Sequence, residues 1–181
     1  AKKSAADENT VDEYEGTQGQ ALIIAGSCSK ATLGQIEKFI NDGGKTFKIN
    51  PIRMLYEKQK LSDVWNYVIG NAESPVLVYS SENPEDVKYN QRHGADKISA
   101  CLEQNMADLA NLAVRNGYTR IIVAGAVTQK LGFNAYLIGE SVSPGVPVMT
   151  PVERRDIRIV LKSGNFGDED FFAKALKITK R

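Results

Sequence analysis

Residues 21–29 read Ala21-Leu22-Ile23-Ile24-Ala25-Gly26-Ser27-Cys28-Ser29, and they decide the fold class. Five apolar residues run without interruption, then four small residues follow at once. A strand with one wet face alternates apolar and polar residues. An unbroken run predicts a strand buried on both faces, as in a parallel sheet. Ala31–Asn41 comes next as a helix, with Leu33, Ile36 and Ile40 on one face and Phe39 beside them. Gly43-Gly44 stops it. A buried strand that passes straight into a helix is the opening unit of an α/β domain.

The same alternation continues downstream. Thr46–Ile49 is the next strand, and Pro51 breaks the chain after it. Ser62 is placed to cap a helix carrying Val64, Trp65, Val68 and Ile69. A third strand spans Val76–Tyr79, and Ser80-Ser81-Glu82-Asn83-Pro84 is turn chemistry. A long helix from Lys97 to Asn116 carries the stripe Ile98, Leu102, Met106, Leu109 and Ala113. Ile121–Ala124 is a fourth buried strand, and Tyr136–Ile138 and Ile157–Leu161 are two more. A last helix, capped by Asp168, buries Phe171, Phe172, Ala175 and Leu176. The predicted fold is α/β, a three-layer domain with a mostly parallel sheet flanked by helices. It occupies residues 21–181. Residues 1–20, crowded with Asp7, Glu8, Asp12, Glu13 and Glu15, read as a linker or disordered leader.

Composition removes other classes. The chain of 181 residues is 42% hydrophobic, too apolar for a disordered segment. No apolar run approaches the ~18 residues of a membrane helix. Lys and Arg number 23 against 22 Asp and Glu, and that balance argues against a nucleic-acid partner. Cys28 and Cys101 alone form no zinc site and no disulfide framework, so a reduced, cytoplasmic setting is expected.

Ligands in parallel sheets bind beyond the carboxyl ends of the strands. Three such ends carry small, hydrogen-bonding residues. The first gives Gly26-Ser27-Cys28-Ser29, the fourth Gly125-Ala126-Val127-Thr128, and the last Lys162-Ser163-Gly164-Asn165-Phe166-Gly167. Glycine admits a ligand to the backbone, and amides at a helix start attract anions. Hydroxyls of Ser27, Ser29 and Ser163 and the charge of Lys162 complete a cradle suited to a phosphate chain. Gly43-Gly44-Lys45-Thr46 imitates the end of a P-loop, but Phe39 stands where that motif needs its first glycine. His93, the one histidine, reads as a surface residue, and Cys28 as a small packed side chain. Pro144-Gly145-Val146-Pro147 reads as a rigid loop that either shapes a binding pocket or connects two strands, with the connection favoured.

Ala25-Gly26-Ser27-Cys28-Ser29, Ser143-Pro144-Gly145-Val146-Pro147 and Leu161–Gly167, with Glu169, Asp170, Phe171 and Phe172 behind, resemble a known family. It is the nucleotide-binding, C-terminal domain of the four-carbon acid sugar kinases, which include 3-oxo-tetronate, erythronate and threonate kinases. The resemblance runs from about residue 18 to residue 178. It implies ATP and Mg²⁺ as cofactors, a four-carbon sugar acid as the phosphorylated substrate, and no nucleic acid or membrane as partner. It implies Ser27 and Ser29 near the phosphates, Gly125 beside them, Gly164 and Asn165 along the nucleotide, and Lys162 as phosphate charge. Ala126, Val127 and Thr128 stand where the family usually carries Gly-Gly-Asp/Glu-Thr-Ser-Gly. Aligning Ala126-Val127 and Leu131-Gly132 with the helix after that motif leaves the loop short. The catalytic base and acceptor site are expected in an N-terminal domain that has no counterpart in this chain, so the chain alone is expected to be inactive. No paired-carboxylate magnesium site is visible. A homodimer stays open, as does a non-catalytic module binding a phosphosugar or nucleotide.

Overall fold

The computed structural model describes residues 16–125 and 131–181. The acidic stretch before Gly16 and the residues Ala126, Val127 and Thr128 lie outside them. Seven strands form one sheet, in the order β2-β3-β1-β4-β7-β6-β5. These are β1 (Ala21–Ala25), β2 (Lys45–Lys48), β3 (Val76–Tyr79), β4 (Arg120–Ala124), β5 (Tyr136–Ser143), β6 (Val146–Pro151) and β7 (Arg158–Lys162). The first five in spatial order pair in parallel, and β6 and β5 add antiparallel at one side.

The helices are α1 (Lys30–Asn41), α2 (Pro51–Leu55), α3 (Leu61–Gly70), α4 (Pro84–Gln91), α5 (Ala95–Arg115) and α6 (Phe171–Thr179). Residue parity along each strand divides the core into two layers. Leu22, Ile24, Val76, Val78, Ile121 and Val123 pack toward Val64 and Val68 of α3 and Met106 and Leu109 of α5. Ile23, Ala25, Leu77, Ile122 and Val160 pack toward Ile36 of α1 and Phe171 and Phe172 of α6. Each large apolar side chain buried this way is worth about 1.5–3 kcal/mol. The expected three-layer α/β arrangement is therefore the one observed.

Several local expectations are corrected. Ser62 does not cap α3. The cap is Lys60, whose backbone N–H is accepted by the Asp63 carboxylate at 2.8 Å. Asp168 does not cap the last helix, which starts at Phe171 after Asp170. Asp168 instead accepts from the Asp170 amide and pairs with Lys174. Ile40, on the apolar face of α1, is 42% exposed, and Ile69 of α3 is 48% exposed. Leu131-Gly132 belongs to no helix, and Leu131 packs into the α5-side core. Pro51 does not break the chain but opens α2, capped by Asn50, and Asn83-Pro84 opens α4. Cys28 is exposed, not packed. Thr17 to Gln20, read with the leader, bond to the domain: Thr17 pairs with Lys180, and the Gln20 amide donates to the Ala72 carbonyl. Gly43 ends α1 with φ +82°, as a helix stop should. Among the described residues no helix is long and apolar enough to cross a membrane.

Candidate functional site

The chain leaves β1 for α1 on one face of the sheet and leaves β3, by way of α4, for α5 on the other. Loops that diverge this way open a crevice at the carboxyl ends of the strands. A cleft of about 690 Å³ lies there. Its wall takes Gly26 and Ser27 from β1, Ser80 from β3, Gly125 from β4 and Lys162 to Gly164 from β7. Ser99, Leu102, Glu103 and Met106 of α5 close the opposite side.

Two glycines bring the loops close together. Gly125 has φ +135°, a conformation that side chains disfavour, and its N–H donates to the Lys162 carbonyl at 3.1 Å. A Cβ there would stand 3.3 Å from the Ser27 amide nitrogen. A Cβ on Gly164 would stand 2.5 Å from Ser27 Oγ and 3.2 Å from Ser29 Cβ. The β7 loop can therefore rest on the β1 loop only without a side chain at Gly164.

Hydrogen bonds fix this contact. Ser29 caps α1 by accepting from the Thr32 amide at 3.2 Å, and its hydroxyl donates to the Gly164 carbonyl. Ser27 Oγ accepts from the Ser29 amide at 3.2 Å. Thr32 Oγ1 reaches the same Gly164 carbonyl at 3.1 Å. On the next turn Gln35 donates to the Phe166 carbonyl at 3.1 Å. Thr32 and Gln35 are fully buried, which makes the inward face of α1 polar where it covers the loop.

Lys162 is 1% exposed. Its ammonium donates to Thr32 Oγ1 at 2.9 Å, the Gly164 carbonyl at 2.8 Å and the Ser163 carbonyl at 3.3 Å, and lies 5.7 Å from the centre of the Phe171 ring. Three donors therefore meet three acceptors. Burial still disfavours the charge and pulls the pKa down to about 8. The geometry makes Lys162 a clamp under the loop. Positive partial charge at the cleft comes from the amino end of α1.

Of the residues singled out in the sequence, Ser27, Gly125, Lys162 and Gly164 line the cleft together. Ser29 sits directly behind Gly164. Asn165 is on the same loop, exposed, and does not line the cleft. Ala126, Val127 and Thr128 lie outside the described residues. Sequence reasoning missed Thr32, Gln35, Ser80 and Glu103. Thr32 had a signal, since it stands three positions after the capping Ser29. Ser80 opened a segment that reads as an ordinary turn. Among the described residues no group of three potential metal-ligating side chains occurs. Glu103 is the carboxylate in the wall of the cleft, and Mg²⁺ commonly takes one or two carboxylates and completes its shell with phosphate oxygens and water.

Comparison with known proteins places the chain in a family. A family described as nucleotide-binding C-terminal domain matches residues 22–172. A 3-oxo-tetronate kinase of Actinobacillus succinogenes is 34% identical over 97% of this chain and 44% of its own length. The 3-oxo-tetronate kinase of Cupriavidus necator is 34% identical over 88% of this chain and 38% of its own length. A crystal structure of a Haemophilus influenzae protein superposes with TM-score 0.86 at 34% identity, over 92% of this chain and 42% of that one. The chain thus spans less than half the length of each of these proteins.

Proposed function

The chain belongs to the family of nucleotide-binding C-terminal domains, and from that premise we propose that it is the ATP-holding part of a kinase that phosphorylates a four-carbon sugar acid of the 3-oxo-tetronate kind. The observation that carries the reading is the contact of the Gly164 loop with Ser27 and Ser29 at the amino end of α1. It makes a cradle of backbone, hydroxyls and helix dipole at the mouth of a cleft large enough for a nucleotide. The identity to proteins named 3-oxo-tetronate kinase supplies the substrate class.

In this reading Ser27 meets the phosphates, and Ser29 holds the loop from behind. Gly125 stands beside them, and Ala126, Val127 and Thr128 are assigned to the same ATP-binding set. Gly164 borders the nucleotide, Asn165 follows it on the exposed side of the same loop, and Lys162 acts through the loop it clamps. Phosphoryl transfer depends chiefly on positioning and on neutralising charge at the transferred group. Mg²⁺ arrives with the nucleotide, with Glu103 facing the same cleft. The sugar acid brings the acceptor hydroxyl, and the rest of a two-domain enzyme holds it and supplies the base that takes its proton. The free thiols Cys28 and Cys101 suit the cytoplasm, where ATP is supplied.

The test is ADP release coupled to phosphorylation of 3-oxo-tetronate. An enzyme joining these residues to a sugar-acid-binding domain should turn over, and the 181-residue chain alone should not. Robust phosphorylation by the pure chain would contradict the division of labour. Absence of any Mg-ADP or Mg-ATP binding to either form would contradict the nucleotide reading itself.

A further inference from the structure

The amino ends of the strands hold a second cleft, of about 350 Å³. Its wall takes Ala21 from the start of β1, Pro75 from the approach to β3, Arg120 from the start of β4, and Lys177 and Lys180 from the end of α6. It shares no residue with the cleft at the carboxyl ends. The 5 residues of β4, about 16 Å of strand, separate the two. We infer that this second cleft binds the phosphate group of a small phosphomonoester. The inference does not rest on the nucleotide reading above.

Charge carries the inference first. Arg120 is buried, and no carboxylate pairs with it among the described residues. A guanidinium has five N–H donors. Three of those on Arg120 reach neutral oxygens: Thr179 Oγ1 at 3.1 Å, the Gly19 carbonyl at 3.4 Å and the Leu176 carbonyl. The other two have no partner among the described residues, on a side chain that lines the cleft. A buried cation without an anion is costly, and burial lowers the pKa of this one. A bound anion offsets that cost. Lys177 and Lys180 stand exposed in the same wall and make no ion pair among the described residues. Glu73 is the carboxylate in that wall. Three cations against one carboxylate leave two positive charges, and a phosphomonoester carries close to two negative ones at neutral pH. Free carbonyls at a helix C-terminus would repel an anion, yet three in the last turn of α6 are occupied. Ala175 accepts from the Thr179 hydroxyl at 2.7 Å, Leu176 from Arg120, and Thr179 from the Thr17 amide at 2.8 Å. Ser74 adds a hydroxyl to the wall. The volume falls in the range of small-molecule sites and leaves room for an organic body beside the phosphate.

Glycerol 3-phosphate is the probe, and sodium chloride at equal ionic strength is the control. At about ten times its dissociation constant the probe should raise the melting temperature by roughly 3–6 °C. Lys177→Ala/Lys180→Ala removes two cations from exposed positions and should leave the core intact. That variant should bind the probe about tenfold or more weakly by calorimetry. The Arg120 Nε–H resonance, assigned by its loss in Arg120→Met, should shift along the titration. No melting rise, or a rise that chloride reproduces, would overturn the inference. So would unchanged affinity in the double variant or an Arg120 resonance that stays in place, since either puts the phosphate elsewhere.

Discussion

At the amino ends of β1 and β4 hydrogen bonds tie the chain together, whereas at the carboxyl ends of β1, β4 and β7 glycines let the loops approach one another around a cleft. Arg120 opens β4 and is 5% exposed. Its guanidinium donates to Thr179 Oγ1 at 3.1 Å, to the Gly19 carbonyl at 3.4 Å and to the Leu176 carbonyl. Thr119 Oγ1 donates to the Gln18 carbonyl at 2.7 Å, and Thr17 pairs with Lys180. Both ends of the described domain are thus tied down at one edge. At the other edge Gly26, Gly125 and Gly164 withhold side chains, and the Ser80 hydroxyl has no partner among the described residues. The two edges belong to one sheet in one parallel register. The contrast teaches that stability and nucleotide binding are assigned to opposite ends of the same strands. Substitutions at the two ends should therefore separate the two properties.

The largest effect is expected at Gly164. Gly164→Val places a branched side chain against Ser27 Oγ and Ser29 and forces the β7 loop off the β1 loop. Mg-ADP affinity should fall by about 100-fold or more, equivalent to about 2.7 kcal/mol, by calorimetry. The melting temperature without ligand should fall less than in the next variant. Arg120→Met leaves the Leu176 and Gly19 carbonyls without their donor. It should lose about 2 kcal/mol in urea denaturation while Mg-ADP affinity stays unchanged. Comparable loss of binding in the Arg120 variant would erase the separation between the edges.

Lys162 sharpens the contrast through pH. Its folded pKa, about 8, lies below the unfolded value of 10.5 because burial disfavours the charge. Between those values the unfolded chain holds the proton more tightly, so stability from this group rises as pH climbs from about 8 to 10.5. The slope for one proton is at most about 1.4 kcal/mol per pH unit. Wild type should gain on Lys162→Met over that window, and flat difference curves in denaturation would show that Lys162 does not titrate there. The smallest effect is expected at Ser29. Ser29→Ala removes the α1 cap at the Thr32 amide and the donor to Gly164, and should cost about 1 kcal/mol. In a chain of this size that is a fall of roughly 2–4 °C in melting temperature.

The parallel part of the sheet was legible because strands such as Ala21–Ala25 and Ile121–Ala124 are buried on both faces and so read as unbroken apolar runs. α5 was legible because its stripe follows the helical period. Elements that bury little left no such pattern. α4 contains no buried residue, and its start, Asn83-Pro84, is equally good turn chemistry. β6 holds Pro147 and Pro151 and alternates rather than running apolar, so its beginning read as a connection. The buried face of α1 misled most. Its apolar period includes Ile40, yet the residues buried toward the β7 loop are Thr32 and Gln35. They bond to loop carbonyls more than a hundred positions away in the sequence. The same long-range bonds explain Lys162. A lysine beside glycine and serine suggests phosphate charge, and only the packed structure reveals that its ammonium is enclosed under Gly164.

The central claim is that the Gly164 contact builds a nucleotide site, and thermal unfolding with and without Mg-ADP tests it most directly. Ligand at 100 times its dissociation constant should stabilise the wild type by about 2.7 kcal/mol. The matching rise in melting temperature is roughly 5–10 °C. Gly164→Val should melt as a folded domain and gain no more than about 0.4 kcal/mol, a rise of at most roughly 1–2 °C. Equal stabilisation of both proteins, or none in the wild type, would contradict the account.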